Sequence, residues 1–200
     1  MRSALRWLDV GWASPTMSGE ARPTADWDLP SLSNAAEARK KRYNMKRYTD
    51  LVADVLTRVK EIQPWDLSKQ LAAGRELVLL DVREPAEFAT LRIPGSINVP
   101  RGVLEQSCEW DYDETVPLLA AGRELEVVVV CRSGKRSALA ADVLLSMGYT
   151  NVVSLKTGVR GWNDYEQPLV DGADNPVDAD TADALLGPRL RPDQHKPKAS

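Results

Sequence analysis

The pattern of apolar and polar positions along this chain changes character near residue 60. Before it, in "AAEARKKRYNMKRYTDLVADVLTRVKEI" (35–62), Leu51, Val52, Val55, Leu56, Val59 and Ile62 fall at helical spacing. That spacing predicts an amphipathic helix with a basic first half and Asn34 placed to cap its start. After it, short apolar runs alternate with helix-length segments. "ELVLLDV" (76–82) and "ELEVVVV" (124–130) are apolar enough to predict buried strands, with "EIQ", "SINVP" and "NVVSL" as shorter ones. The segments between them predict helices: "PWDLSKQLAAG", with Pro64 near its start and Gly74 past its end, "EPAEFATL", part of "ETVPLLAAG", "SALAADVLLSMG", closed by Gly148, and "VRGWNDYEQ". Apolar strands alternating with helices predict an α/β fold: a small, mostly parallel sheet flanked by helices on both faces, with a helical N-terminal extension. Ligand sites in such sheets form at the carboxyl ends of the strands, where Asp81 and Cys131 stand.

The flanks read differently. Residues 1–34 hold Trp7, Trp12 and Trp27 but no sustained period, and are expected to be irregular. Residues 35–59 form the helical extension, 60–171 the main domain, and 172–200 an acidic, Pro-rich tail expected to be disordered. Over all 200 residues, 43% are hydrophobic, enough for a core, and the net charge is -3, so no nucleic-acid partner is expected from bulk electrostatics. The basic run "RKKRYNMKR" reads as a solvated helix start, with an acidic partner or an anionic surface as the alternative. No run of 18 apolar residues is present, and Asp9 breaks the apolar stretch of the N-terminus, so neither a membrane span nor a signal peptide is expected. Two cysteines are too few for a disulfide framework, which favours a reduced, cytoplasmic setting.

The chemistry concentrates in "VVVVCRSGKRSALAADVLLSMG" (127–148). Cys131 follows a buried strand and precedes a helix, so the N–H groups of Arg132, Ser133, Gly134, Lys135, Arg136 and Ser137 can turn inward. With the positive helix end they form a cradle for negative charge. Gly134 permits the tight turn. Arg132, Lys135 and Arg136 add cations, and such surroundings favour a thiolate with an anion beside it. Several alternatives fall away. A cysteine protease needs a histidine base, and the only histidine is His195, in the tail. Cys108, Cys131 and that histidine make no metal site, and no nucleotide-binding G-x-x-x-x-G-K-[ST] loop occurs. Sulfur transfer fits what remains, because a sulfane sulfur bears a leaving group that needs little general-base help.

"LLDVREPAEF", "IPGSINVP", "VVVVCRSGKRSALAADVLLSMGY" and "VVSLKTGVRGW" come in the order and spacing of the rhodanese-like family of sulfurtransferases, single-domain type, which this chain resembles from about residue 60 to 170. The resemblance implies a thiosulfate:cyanide-type sulfurtransferase. Cys131 would be the nucleophile that becomes a persulfide, Arg132 to Ser137 the loop that binds the donor, and no cofactor or metal would be required. The implied partners are a small anionic sulfur donor and a thiol or sulfur-carrier protein acceptor. Asp81 and Arg83 would be structural, with Arg83 lining the site as the alternative, and Trp162 would be a packing residue. Leu91–Arg92 and Thr157–Gly158 stand where the family often has Gly-His and Gly-Gly. Phosphatases and arsenate reductases of the same fold have five residues between cysteine and arginine, whereas four separate Cys131 from Arg136 here. A non-catalytic binding module of the same fold is the other alternative. Cys108 is a second thiol, either a resolving partner for Cys131 or a packing residue.

Overall fold

The computed structural model describes residues 46–188 and 190–196. The expectations for residues 1–45, including the irregular segment, its tryptophans and most of the basic run, lie outside these.

Helix α1 (Tyr48–Val55) leads into strand β1 (Lys60–Ile62), and then strands and helices alternate: α2 (Pro64–Ala72), β2 (Val78–Asp81), α3 (Pro85–Thr90), β3 (Ile97–Asn98), the short α4 (Leu104–Ser107) and α5 (Pro117–Ala121), β4 (Glu126–Val130), α6 (Lys135–Ser146), β5 (Asn151–Leu155) and α7 (Gly158–Asp164). The five strands pair in parallel in the order β1-β5-β4-β2-β3. β4 and β2 sit inside, which is why their sequences are apolar without alternation.

The four valines of β4 divide between two cores. Val127 and Val129 face one side with Leu80, Val82, Ala138, Ala141 and Leu144, while Val128 and Val130 face the other with Leu67, Leu79, Leu155, Val159 and Trp162. Cys131 continues the first set. The sheet therefore delivers the cysteine at the carboxyl end of a strand buried on both faces, and its backbone cannot be displaced without disturbing both cores. Trp162 is buried and donates through Nε1 to the Pro168 carbonyl at 2.9 Å.

Beyond the sheet, the structure departs from the expected disordered tail. β6 (Leu169–Val170) and β7 (Pro176–Val177) form an antiparallel hairpin across the boundary placed at residue 171, and α8 (Ala179–Leu186) follows. Two local devices outweigh the polar composition. Asp171 Oδ1 accepts from the N–H groups of Ala173 and Asn175, which closes the hairpin turn. Asp178 caps α8 by accepting from Thr181 N at 2.9 Å, and Ala182 and Leu186 then sink into the second core. The amphipathic segment at the other end of the domain breaks earlier than its periodicity predicts. α1 ends at Val55, and Lys60–Ile62 extends into the edge strand instead. Among the described residues, no helix is long and apolar enough to cross a membrane.

Candidate active site

Gly134 is the residue on which the loop turns. Its φ of 83° lies in the left-handed region that glycine adopts without a Cβ penalty, and α6 starts directly after it. The helix thus begins two residues earlier than the segment "SALAADVLLSMG" suggested. The first intrahelical bond runs from Ala138 N to Gly134 O, at 3.1 Å. Among the described residues, none of the N–H groups of Arg132, Ser133, Gly134, Lys135, Arg136 and Ser137 has a protein acceptor. These six consecutive donors stand at the positive end of a 12-residue helix, an arrangement of the kind that attracts anions.

Cys131 is 1% exposed and is a free thiol. Its Sγ lies 3.4 Å from Ser137 Oγ. Ser137 Oγ donates to the Gly134 carbonyl at 3.0 Å and accepts from Ser154 Oγ at 2.8 Å. Ser137 and Ser154 are both fully buried, so this short chain of hydroxyls replaces solvent around the sulfur. Ser154 was not a sequence-level candidate. The signal that exposes it is a polar residue in the otherwise apolar strand "NVVSL", at the position facing the loop.

The three loop cations take separate roles. Arg136 is held by Glu87 in a two-pronged ion pair, Nη1 to Oε2 and Nη2 to Oε1, each at 2.7 Å. That pair holds the Glu87 carboxyl below the ordinary carboxylate range, by its hydrogen bonds first, against the opposing effect of burial. Glu87 belongs to α3 and also accepts from Glu84 N, at 3.3 Å, so α3 braces the loop. Lys135 projects outward, with its Nζ 6.0 Å from the centre of the Tyr48 ring. The Arg132 guanidinium, expected from the sequence to help hold the donor, is engaged elsewhere in the fold. Its Nε and Nη2 donate to the Leu186 carbonyl, at 2.9 and 2.5 Å, at the negative end of α8. It lines a cavity of about 300 Å³ with Glu87, Thr90, Leu91 and Leu186, and Cys131 does not line that cavity. α8, which the sequence reading missed, supplies the physical reason, because a helix end with free carbonyls captures the nearest guanidinium.

The backing of the loop is equally specific. Val159 N donates to Cys131 O at 2.8 Å and Arg160 N to Arg132 O at 3.1 Å, which ties the first turn of α7 to the loop. A Cβ on Gly158 would overlap the Cys131 carbonyl oxygen and come within 2.7 Å of the Arg132 carbonyl carbon. Thr157 adopts φ 63°, a conformation costly for a β-branched residue, at the point where the resembled family often has glycine. Behind the next strand, Arg83 is 1% exposed and clasps Asp81 through Nε and Nη2, with a further bond from Nη2 to the Leu91 carbonyl at 2.6 Å. Asn98 Nδ2 donates to the carbonyls of Asp81 and Arg83. This group is a structural knot below the site. Among the described residues, no cluster of three or more His, Cys, Asp or Glu side chains is arranged to hold a metal ion.

Comparison with known proteins follows the same segments. The sequence model of the rhodanese-like domain matches residues 64–165. A mitochondrial protein of Schizosaccharomyces pombe, provisionally named a thiosulfate sulfurtransferase, is 36% identical over 103 residues, covering 50% of this chain and 72% of its own. A sulfurtransferase of Allochromatium vinosum is 31% identical over 112 residues, covering 56% of this chain and 95% of its own. Among solved structures, a Rhodopseudomonas palustris protein of unknown function, described as a possible tyrosine phosphatase, superposes with a TM-score of 0.58 at 25% identity, over 63% of this chain and 96% of its own.

Proposed function

The chain belongs to the rhodanese-like domain family, and from that premise we propose that it is a sulfurtransferase that carries sulfane sulfur as a persulfide on Cys131. The observation that carries this reading is a buried free thiol at a strand end, followed directly in the chain by six N–H groups without a protein acceptor. Such donors stabilise a thiolate, and afterwards the outer sulfur of a persulfide anion, without a metal or a histidine. In the first half-reaction, Cys131 Sγ attacks the sulfane sulfur of thiosulfate. A new S–S bond forms, the donor's sulfur–sulfur bond breaks, and sulfite leaves with the electron pair. In the second, an acceptor thiolate attacks the outer sulfur and releases Cys131 as thiolate.

The neighbour described as a possible tyrosine phosphatase motivates a second reading, phosphoryl or arsenate chemistry at the same cysteine. Two features weigh against it. Four residues separate Cys131 from Arg136, one fewer than the phosphatase loops of this fold hold. Both terminal nitrogens of Arg136 are engaged by Glu87, and Arg132 is engaged by Leu186, which leaves no open guanidinium fork for a tetrahedral phosphoryl group. A purely scaffolding module has no use for a buried thiol followed by six N–H groups left without protein acceptors. Intact-mass measurement after incubation with thiosulfate tests the proposal. The expected result is a gain of one sulfur atom, absent in Cys131→Ser. A wild-type protein that gains no sulfur from thiosulfate, polysulfide or a thiol persulfide, yet hydrolyses an aryl phosphate, overturns it.

A further inference from the structure

The rim outside the cradle is built by a helix that precedes the family match. α1 begins at Tyr48, before residue 64, and packs on α6. Val52 and Val55 bury its inner side, and Arg58, just past its end, donates from Nε and Nη2 to the Asp142 carboxylate at 2.5 and 2.7 Å. This anchoring holds Tyr48, 48% exposed, against the first residue of α6, with the Lys135 ammonium 6.0 Å from the ring centre. That spacing is at the outer edge of a cation–π contact. The phenol also lies within electrostatic reach of Cys131 and Arg136. Burial, then the charge of Cys131, hold it protonated, against the opposing pull of Arg136. At neutral pH it is therefore an O–H donor beside an ammonium, next to the loop that surrounds the sulfur.

On the sulfurtransferase reading above, we propose that Tyr48 is a specificity residue that selects sulfur donors bearing an oxyanion next to the sulfane sulfur. Its O–H and the Lys135 ammonium hold the outer oxygens while the sulfane sulfur meets Cys131 in the cradle. As the donor's sulfur–sulfur bond breaks, the electron pair moves onto the oxyanion fragment, and these two donors meet the charge that grows there. The segment that carries Tyr48 lies outside the matched domain, so the selectivity is a property of this chain's extension and not of the loop.

The test compares wild type with Tyr48→Phe, which keeps the ring beside Lys135 and removes only the O–H. Sulfur loading of Cys131 is measured with thiosulfate and with an alkyl persulfide that carries no oxyanion next to its sulfane sulfur. The expected result is a fall of about tenfold in kcat/KM for thiosulfate, the size of one charge-assisted hydrogen bond at a partly exposed site. The ratio of kcat/KM for thiosulfate to that for the alkyl persulfide falls by the same factor. An unchanged ratio in Tyr48→Phe, with wild type active, overturns the role of Tyr48 alone, and an equal loss with both donors does the same by marking a structural effect. A wild type that takes sulfur from neither donor overturns the sulfurtransferase reading and this inference with it.

Discussion

Cys108 and Cys131 are both free thiols, both essentially without solvent exposure, and both border the same core on one face of the sheet. They differ in what surrounds them. Cys108 follows α4 in a largely apolar pocket with Leu104, Leu119 and Tyr149 in the same cluster. Burial pushes its thiol up, only partly countered by Tyr149 and Arg123. Cys131 sits at a strand end with a helix N-terminus ahead of it, a hydroxyl at 3.4 Å and six unpartnered amides following it in the chain. Burial alone protonates and silences a thiol. Burial with fixed donors replaces water by dipoles that need not reorganise when charge appears, and this makes a buried sulfur useful.

Exchanging the two side chains sets the widest contrast. Cys131→Ser is expected to bring thiosulfate:cyanide transfer to background. Cys108→Ala is expected to retain transfer and lose about 1 kcal/mol of stability, for the small cavity it leaves. Denaturant unfolding and a cyanide assay on the two variants measure both effects. If Cys108→Ala instead held the Cys131 persulfide longer than wild type does, Cys108 would be a resolving thiol, and the contrast drawn between the two sites would be wrong.

A second, smaller effect tests whether backbone placement or the thiol itself makes the difference. Gly158→Ala leaves both cysteines in place. Its Cβ would collide with the carbonyl of Cys131, and Gly158 already sits at φ 61°. The variant is expected to lose about 1–3 kcal/mol of stability and on the order of 100-fold in sulfur loading, because the carbonyl it displaces belongs to the residue that bears the sulfur. Normal loading by a stably folded Gly158→Ala would show that the cradle tolerates displacement.

The Cys131 side of this contrast was legible in the sequence, and its supports were legible only in part. A run of four valines, a cysteine, a glycine and a cluster of cations specify strand, turn and helix start through local rules that tertiary contacts did not override. The side-chain destinations of those cations were not local. Arg132 reaches Leu186, 54 positions away, and Arg136 reaches Glu87, 49 positions away. Nothing within the loop encodes either partner. α8 was masked by its composition: "ADTADALL" reads as polar tail until Asp178 caps it and Leu186 finds a place in the core. Tyr48 lay in a segment read for its basic charge and its apolar stripe, and an aromatic on the other side of that stripe carried no pattern of its own. Sequence patterning therefore located the strand end that bears Cys131, whereas the residues that brace and border it depend on which elements the fold brings together.

Removing the inner hydroxyl chain should have a more modest effect. Ser154→Ala takes away the donor to Ser137 Oγ but leaves Ser137 able to reach the sulfur. About a fivefold loss in loading rate is expected, the size of one neutral hydrogen bond acting at second hand. Ser154→Thr, which keeps a hydroxyl at that position, is expected to recover part of it. A loss in Ser154→Ala as deep as that of Ser137→Ala would mean that Ser154 bonds the sulfur site directly.

The smallest expected effect is acid dependence, and here too the two thiols should part. Arg136 holds the Glu87 carboxyl below its ordinary value, so this pair contributes its full stability above the unfolded carboxylate pKa of about 4.3. The contribution is lost as pH falls through the lower, folded value. Both side chains are about a third exposed, at 31% and 33%, so screening keeps the contribution at about 1 kcal/mol or less. Between pH 7 and 5 the loop should hold; below about pH 4.3 its brace to α3 weakens. Wild type should then lose stability relative to Glu87→Gln, whose neutral amide does not titrate, while the two keep a constant difference at higher pH. Cys108 is held by apolar packing, so its protection from alkylation should be the same in both proteins over that range. If protection of Cys108 fell together with that of Cys131, the acid effect would be global unfolding, and the Glu87–Arg136 pair would not be a local support of the Cys131 loop.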